Sequence, residues 1–331
     1  MPSRPDADDP RLGDLSEGRL LRAILSRTAP ATHTILGPGD DAAVIAAPSG
    51  SVVATTDTLV HGPDFRLAWT SGYDLGWKAA AVNLADIAAM GAQPTALLVA
   101  LAIPRDLRLS FVERLADGLR DACAALAPGC AVVGGDLATS DVLTVAVTAL
   151  GDLEGRQAVT RSGARPGDAV AVAGELGLAA HGLAILFDSF RDGGSPVPVD
   201  PARLAPGESG ALSAQLRPVP PIGLGRIAAI AGATSMMDVS DGLALDAGRL
   251  AAASDVTIAL RRAALGDEPN RALRGGEDHA LLATFPDGVL PPGFRIIGEV
   301  REREVDALLC DEEPIEIRGW DPYRDWDSIS G

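Results

Sequence analysis

The sequence has 331 residues, of which 47% are hydrophobic and 22% charged, so it has the composition of a folded chain and the length of two ordinary domains. Its formal net charge of -17 argues against nucleic acid or an anionic membrane as a partner, because both favour basic surfaces, and an anionic substrate would therefore need metal ions. No apolar run approaches a membrane span, and residues 1–10 carry acids and prolines where a signal peptide would be basic and apolar, which predicts a cytoplasmic protein.

The first strands and helices can be predicted from hydrophobic periodicity. Residues 1–15 are polar and rich in proline and aspartate, which predicts a flexible tail, and a helix is expected over 16–26. Strands are predicted at three apolar runs, which are 51–56, stopping at Asp57, then 96–103 and 142–150.

Two helices are predicted between these strands. The clearer one spans 73–90 and has Gly91 placed to end it, with Asp86 on its apolar face. The second spans 111–126. A short strand over 131–133 follows it and leads into Gly134, Gly135 and Asp136, so that a strand again ends at a carboxylate.

A domain boundary is predicted near 152–162. Residues 191–221 are dense in proline, glycine and serine, which indicates a surface connection rather than a core element. The other elements expected after the boundary are a turn-rich joint at 163–168, a strand over 169–173, a helix through Phe187, a helix over 224–231, a strand ending at Met237 and a helix over 242–253.

The alternation of strands and helices predicts an α/β (α+β) protein with parallel or mixed sheets covered by helices in each of two domains. We expect an N-terminal domain over 16–155 and a C-terminal domain over 156–331. The cysteines, Cys123, Cys130 and Cys310, lack the spacing of a zinc or redox site and are expected to be buried, inert thiols.

Several aspartates occupy positions that surface acids seldom take. They are Asp40 and Asp41 in a Gly-Pro-Gly loop, Asp57 and Asp136 at strand ends, Asp86 on an apolar helix face, and Asp238 and Asp241 beside a helix start. Carboxylates that converge raise each other's pKa, so they stay ionised only where cations compensate. Magnesium fits this pattern, because it takes one or two carboxylates per ion together with water and phosphate oxygens.

The alternative is that each aspartate only caps a helix or a turn, which needs no ligand. Asp86 fits that alternative least well, because an unpaired carboxylate on an apolar stripe costs several kcal/mol.

The sequence gives little support for other nucleotide-binding motifs or for hydrolase motifs. Lys78 is the only lysine, and no G-x-x-x-x-G-K-[ST] motif contains it, which excludes a P-loop. The run from Gly223 to Ala228 resembles a dinucleotide fingerprint, but prolines precede it where a strand should be, so it is interpreted as a helix start. The histidines lack zinc-site spacing, and no G-x-S-x-G elbow marks a serine nucleophile.

Ordered motifs carry a family resemblance over about residues 37–320. They are GPGDDAAV (37–44), TTDTLV (55–60), KAAAVNLADIAAMGA (78–92), VGGD (133–136), TRSGARPGD (160–168), DVSDGL (238–243), GGEDHAL (275–281) and GWD (319–321). With these motifs the sequence resembles the thiamine-monophosphate kinases, within the aminoimidazole ribonucleotide synthetase-like superfamily. The resemblance implies that superfamily's two-domain fold, in which N-terminal domains pair as a homodimer and the C-terminal domain closes the active site.

The resemblance also implies the site residues. Those expected to hold several magnesium ions are Asp41, Thr55, Thr56, Asp57, Asp86, Asp136, Asp238 and Asp241. Those expected to bind ATP are Gly135, Asp136, Arg161 and Ser240. Thiamine monophosphate would meet Asp64, Glu277 and Trp320, and Trp320 stands where many relatives carry a tyrosine. Many relatives also carry a substrate-contacting histidine at the position of Asp64, and His61 is the alternative contact here.

The implied reaction is direct in-line transfer of the ATP γ-phosphoryl group to thiamine monophosphate, without a phosphoenzyme. Rival interpretations are another ATP-using member of the superfamily or a metal- or nucleotide-binding module without turnover. The first 36 residues lack the reactive cysteine typical of selenophosphate synthetases, and the chain ends in DWDSISG rather than in the cysteine-bearing tail of hydrogenase-maturation relatives.

Overall fold

The computed structural model describes residues 9–37 and 42–320. The α-helices of this part of the chain are α1 (Glu17–Leu25), α2 (Gly72–Ala89), α3 (Leu109–Leu126), α4 (Leu178–Ser189), α5 (Glu208–Leu216), α6 (Ile222–Ala231), α7 (Leu243–Ser254) and α8 (Pro269–Arg274). Its first strands are β1 (Thr34–Leu36), β2 (Val44–Ile45), β3 (Val53–Val60), β4 (Gln93–Ile103), β5 (Val132–Thr139) and β6 (Thr144–Asp152). The later strands are β7 (Ala169–Ala173), β8 (Arg191–Asp192), β9 (Ser195–Pro196), β10 (Ser235–Val239), β11 (Thr257–Leu260), β12 (Ala280–Phe285), β13 (Arg295–Arg301), β14 (Leu308–Cys310) and β15 (Glu313–Pro314).

The N-terminal half is built on a four-stranded mixed sheet in the order β3-β6-β4-β5. Its β4 and β5 are parallel, and its other pairs are antiparallel. Alternate residues of β6, including Val145 and Val147, are buried, as a strand with one covered face requires. The covering layer is α2 and α3. These helices approach so closely that a Cβ at Gly76 would lie 2.0 Å from the Leu115 carbonyl oxygen.

Helix α2 begins at a capping box. The Ser71 hydroxyl accepts a hydrogen bond from the Asp74 backbone amide, and the Asp74 carboxylate accepts one from the Ser71 amide. This arrangement satisfies two of the amides that a helix start leaves without intrahelical partners. The box fixes the start of the helix that brings Asn83 and Asp86 to β3.

The C-terminal half is built on a seven-stranded mixed sheet in the order β10-β12-β7-β13-β11-β14-β15. Only its β11 and β14 pair in parallel within the described residues. The two halves share one hydrophobic core, which extends from α2 and β6 to α6, β7 and β12. At the junction Gly225 of α6 contacts α2, and a Cβ there would lie 2.0 Å from the Ala88 carbonyl oxygen.

The predicted mixed sheets covered by helices are confirmed, and the three cysteines are buried and free as expected. The glycine-rich run after Pro221 begins α6, as interpreted. No helix among residues 9–37 and 42–320 has the length and apolar character needed to cross a bilayer.

Two strands continue where they were predicted to end. Strand β3 runs through Asp57 to Val60, and β5 runs through Asp136 to Thr139. The prediction was wrong because aspartate and glycine are poor strand formers, whereas pairing with β6 and β4 holds these segments extended.

Residues 191–221 are not only a surface connection. They contain the β8–β9 hairpin and α5, whose Ala211 and Leu212 are buried in a small core with Trp69, Leu186 and Phe190. The described end of the expected tail is also held in place, because the Leu12 amide donates to the Leu107 carbonyl oxygen and Leu12 is buried.

Candidate active site

A cavity of about 410 Å³ lies where α2, α4 and the loops 62–70, 274–277 and 318–320 meet. Asp64, Glu277 and Trp320, the three residues expected to touch the substrate, all line it, and so does Ser240. The sequence places these residues far apart, so their convergence is a result of the fold. His61 is not among the described lining residues, and its ring packs near Phe65 with centroids 5.6 Å apart.

Asp64 is held by a tight turn after β3. One of its carboxylate oxygens accepts a hydrogen bond from the Val60 amide at 2.7 Å. Burial and the nearby Glu277 charge raise the pKa of Asp64, while the Val60 amide and Lys78 lower it. The carboxylate thus has a structural role in the turn and also contributes to the wall of the cavity.

Glu277 lies in a loop that is fixed through its backbone. Its φ is 72°, and its amide donates to the Ser240 carbonyl oxygen at 2.8 Å. Gly276 packs directly on Ser240, because a Cβ there would lie 2.1 Å from the same oxygen. The Glu277 carboxylate forms an ion pair with the buried Lys78. Protein atoms around Glu277 work to raise its pKa, although the side chain is partly exposed, but the Lys78 charge lowers this pKa below its usual value.

Trp320 closes one side of the cavity and remains 37% exposed. Its amide donates to the Asp241 carbonyl oxygen at 3.0 Å, which ties the Trp320 segment to the helix start that carries Asp241. The opposite wall is aromatic and apolar, with Trp69 and Phe187 in edge contact at 5.2 Å. The Arg66 guanidinium lies 4.9 Å and 4.7 Å from these two rings, close enough for cation–π attraction.

Next to the cavity, carboxylates crowd between α2, β3 and β10. Asp86 accepts a hydrogen bond from the Thr55 hydroxyl at 2.8 Å. Burial and the neighbouring Asp238 raise the pKa of Asp86 to about 6, although the Thr55 hydrogen bond opposes the shift. The protein atoms around Asp57 likewise raise its pKa, although the residue remains accessible to solvent, and the Glu277 and Asp238 charges contribute. Carboxylates that repel one another in this way are suited to a cation.

Asp238 is paired with a histidine. Its carboxylate lies 3.0 Å from His279 Nδ1, and both side chains are 7% exposed. Burial opposes protonation, but the Asp238 hydrogen bond and charge raise the pKa of His279 above its usual value. His279 has a φ of 52°, and its ring contacts β10 through Asp238.

Asp246 organises the loop before α7. One of its oxygens accepts from the amides of Ser240 and Asp241, each at 3.1 Å. Arg249 bridges Asp241 and Asp246 at 2.7 Å and 2.8 Å. Asp246 is fully buried, and burial together with the Asp241 and Asp238 charges raises its pKa to about 6.

The structure divides the expected metal ligands between the two faces of the four-stranded sheet. Thr55 and Asp57 lie on the face toward α2, whereas Thr56 and Asp136 lie on the opposite face, where Asp136 is exposed. Asp41 lies outside the described residues. Within the described ranges, no three His, Cys, Asp or Glu side chains form a group that could hold a metal ion.

The expected ATP-binding residues are divided as well. Ser240 lines the cavity with Glu277, whereas Gly135 and Asp136 line a larger cavity of about 990 Å³ between α1, α3 and the β4–β5 side of the sheet. Arg161 is exposed, and its carbonyl oxygen accepts from the Ser254 hydroxyl at 2.9 Å.

Sequence reasoning missed the roles of Lys78, His279 and Asp246 in this arrangement. Lys78 is the only lysine and lies about two helical turns before Asp86, which was a usable signal. Asp246 follows DVSDGL on the next helix and was overlooked because it has the spacing of an ordinary first-turn acid.

Comparisons with known proteins identify the family. Residues 39–153 match the family described as AIR synthase related protein, N-terminal domain. The chain is 38% identical over 342 residues to the thiamine-monophosphate kinase of Mycobacterium tuberculosis, covering 97% of this chain and 96% of that protein. It is 36% identical to the thiamine-monophosphate kinase of Bacillus subtilis, covering 94% and 100%.

Solved structures give the same result. AaThiL complexed with AMPPCP and TMP matches with a TM-score of 0.73 and 31% identity, covering 94% of this chain and 98% of that chain. The thiamine monophosphate kinase from Aquifex aeolicus matches with a TM-score of 0.71 and 32% identity, covering 93% and 100%. Hydrogenase maturation protein HypE, at 18% identity and a TM-score of 0.69 over 94% and 98% of the two chains, shares the fold. The chain belongs to the thiamine-monophosphate kinase family.

Proposed function

We propose that this protein transfers the γ-phosphoryl group of ATP to the phosphate of thiamine monophosphate and so produces thiamine diphosphate. The observation that carries the proposal is the cavity that Asp64, Glu277 and Trp320 share beside a group of crowded carboxylates. A flat aromatic side chain can stack on a heterocycle, and a carboxylate can accept hydrogen bonds from an aminopyrimidine or pair with a thiazolium cation.

Magnesium is the metal that best suits this donor set. The residues on the α2 side that would hold it are Thr55, Asp57, Asp86, Asp238 and Asp241. In support, Asp57 and Asp86 have raised pKa values that a divalent cation would reverse. When bound, the ions would neutralise phosphate charge and orient the reacting oxygens.

The acceptor phosphate is already an anion, so a strong general base is not required. The chain's own contribution to in-line transfer would be to align two phosphates that repel each other and to exclude water around them. Gly135, Asp136, Arg161 and Ser240 are proposed to contact ATP, with Arg161 supplying a fixed positive charge.

A homodimer formed through the N-terminal domain is part of the proposal. It is supported by apolar side chains that remain exposed near the open face of the four-stranded sheet, with Leu98 at 37%, Val44 at 46% and Ile35 at 73%. Such a patch is typical of protein interfaces. The proposed domains are 16–155 and 156–331. We also propose that the protein is cytoplasmic and that neither nucleic acid nor a membrane is its partner.

The test is a direct assay of thiamine diphosphate formation from thiamine monophosphate and ATP, with and without magnesium. Thiamine and an aminoimidazole-pathway substrate serve as controls. We expect product only with thiamine monophosphate and magnesium. Binding of ATP without product would leave a nucleotide-binding module, and turnover of a control substrate would assign another activity of the superfamily.

A further inference from the structure

We propose that Lys78 is a positioning residue that holds the Glu277 carboxylate toward the cavity and thereby sets the affinity for thiamine monophosphate. The inference rests on the proposed function and deepens it. Lys78 belongs to the N-terminal half and Glu277 to the C-terminal half, so the affinity for thiamine monophosphate would depend on a contact between the two halves.

The first observation is where Lys78 lies. It is only 3% exposed, although it lines the cavity wall, and lysine is almost never buried without a partner. Its Nζ forms the ion pair with Glu277 Oε2. When the Gln215 amide is oriented to satisfy both of its ends, its oxygen lies 3.2 Å from Lys78 Nζ and its nitrogen lies 3.1 Å from the Ala179 carbonyl oxygen. Lys78 therefore joins α2, α5 and the Glu277 loop.

The second observation is that the Glu277 loop does not need this ion pair to stay in place. The Glu277 amide is bonded to Ser240, the His279 amide is bonded to Val239, and the Asp278 carboxylate accepts from the Gly177 and Ala179 amides at 2.6 Å and 2.7 Å. These backbone contacts fix the loop. The ion pair instead determines where the Glu277 side chain points and whether it is ionised.

The third observation is that the Glu277 side chain keeps 38% of its surface exposed, although its partner is buried. In the described part of the chain, Lys78 engages Oε2 and leaves Oε1 for a ligand in the cavity. Buried ion pairs contribute little net stability compared with apolar pairs of the same shape. A pair that is half open to a cavity is therefore better explained by recognition of a ligand than by stability.

The test compares Lys78→Met with Lys78→Met/Glu277→Gln, Glu277→Gln and the wild type. For Lys78→Met we expect the KM for thiamine monophosphate to rise about 10- to 100-fold, the effect of losing a charge-assisted hydrogen bond. We expect kcat and the KM for ATP to change less than about threefold, since Lys78 is not among the residues proposed to contact ATP. Arg114→Met is the control, because Arg114 is an exposed cation that does not line the cavity, and its removal should leave both KM values unchanged.

The double variant separates a role in affinity from a role in folding. Lys78→Met leaves an unpaired carboxylate in the cavity wall, and Glu277→Gln removes that charge, so the double variant should recover most of the lost stability. Its KM for thiamine monophosphate should stay high. Recovery of stability together with a wild-type KM would overturn the proposal. If Lys78→Met fails to fold, the double variant is compared with Glu277→Gln. Equal KM values are expected, because Lys78 acts through Glu277, and unequal values would overturn the proposal.

The pH profile is a further readout. The titratable groups that face Glu277 are Lys78, His279, Asp57 and Asp64. Among them, Lys78 lowers the pKa of Glu277 most. Without Lys78 the pKa of Glu277 rises, so kcat/KM of Lys78→Met should increase with pH over a range that lies higher than the corresponding range of the wild type. Parallel profiles would contradict the proposal.

A binding experiment distinguishes failure of this inference from failure of the proposed function. Because Lys78 is the only lysine, ¹⁵N-lysine labelling gives a single side-chain signal, and thiamine monophosphate should shift it without ATP. A shift without turnover would refute the proposed kinase activity and retain the role of Lys78. Turnover with no shift of the signal would refute the role of Lys78.

Discussion

Replacing Asp86 by asparagine should stabilise the metal-free protein while it abolishes magnesium-dependent turnover. Burial and the Asp238 charge raise the pKa of Asp86 from 3.8 to about 6. A difference of two units corresponds to about 3 kcal/mol between the ionised and the protonated folded states. An asparagine keeps the size of the side chain and can still accept from Thr55, so it removes this electrostatic cost with little change in packing.

The direction of the pH dependence follows from proton binding. Between pH 4 and 6 the folded state binds more protons at Asp86 than the unfolded state does, so this group lowers the stability as pH rises through that window. The loss of stability caused by Asp86 is complete above its pKa in the folded state and absent below its pKa in the unfolded state. The gain in Asp86→Asn should therefore be about 2 to 3 kcal/mol at pH 7.5 and close to zero at pH 4.

The assay is urea unfolding in the presence of a chelator at pH 4, 5, 6 and 7.5, repeated with magnesium. Magnesium should stabilise the wild type by binding the folded state and should stabilise Asp86→Asn much less. Loss of stability in Asp86→Asn at pH 7.5 without metal would refute the reasoning. Wild-type turnover in the variant would remove Asp86 from the site.

Asp117→Asn is the matched control, because Asp117 is a buried carboxylate whose pKa is shifted in the opposite direction from that of Asp86. Burial raises the pKa of Asp117, but hydrogen bonds and charges from Arg27 and Arg120 lower it below its usual value overall. This pairing stabilises the fold above the unfolded pKa and is lost as pH falls toward the lowered folded pKa. Asp117→Asn should therefore destabilise the protein at pH 7.5. We expect a loss of about 1 kcal/mol, because Arg27 and Arg120 are partly exposed and keep their ion pairs with Glu113 and Asp121.

Trp320→Ala should raise the KM for thiamine monophosphate and leave kcat and the KM for ATP nearly unchanged, because the indole forms only a wall of the cavity. An unchanged KM for thiamine monophosphate in steady-state assays would exclude stacking. Gly276→Ala should lower turnover, because its Cβ would lie 2.1 Å from the Ser240 carbonyl oxygen and the loop must move. Gly210→Ala, in α5 with open space around it, is the control and should keep full activity with about 0.5 kcal/mol more stability.

The elements that sequence patterns predict well are those whose side chains have one buried face. Helix α2 was predicted within one residue at each end, because its capping box, apolar periodicity and Gly91 all agree. Helix α5 was missed because its proline- and glycine-rich surroundings resemble a loop. Its burial against Phe190 depends on tertiary packing that the local sequence does not encode.

For the candidate site, the sequence proposes residues but does not give their arrangement. The predicted strand over 51–56 implies that Thr55 and Thr56 face opposite sides of the sheet, but the local sequence does not tell which side α2 covers. The Lys78 and Glu277 pair could not be predicted either. It joins side chains 199 positions apart, and only the packing of the two halves brings them together.

The division of the aspartates between two faces limits how metal ions can be bound. Asp57, Val147, Val99 and Gly135 lie in one row across the sheet, so Asp57 and Asp136 are separated by about three strand spacings, or roughly 14 Å. Two oxygens on one magnesium ion are at most about 4.2 Å apart, given ligand distances of 2.0–2.1 Å. Asp57 and Asp136 therefore cannot hold the same ion in this conformation. If both are ligands, at least two ions are required, and a nucleotide that touches both must extend around the sheet.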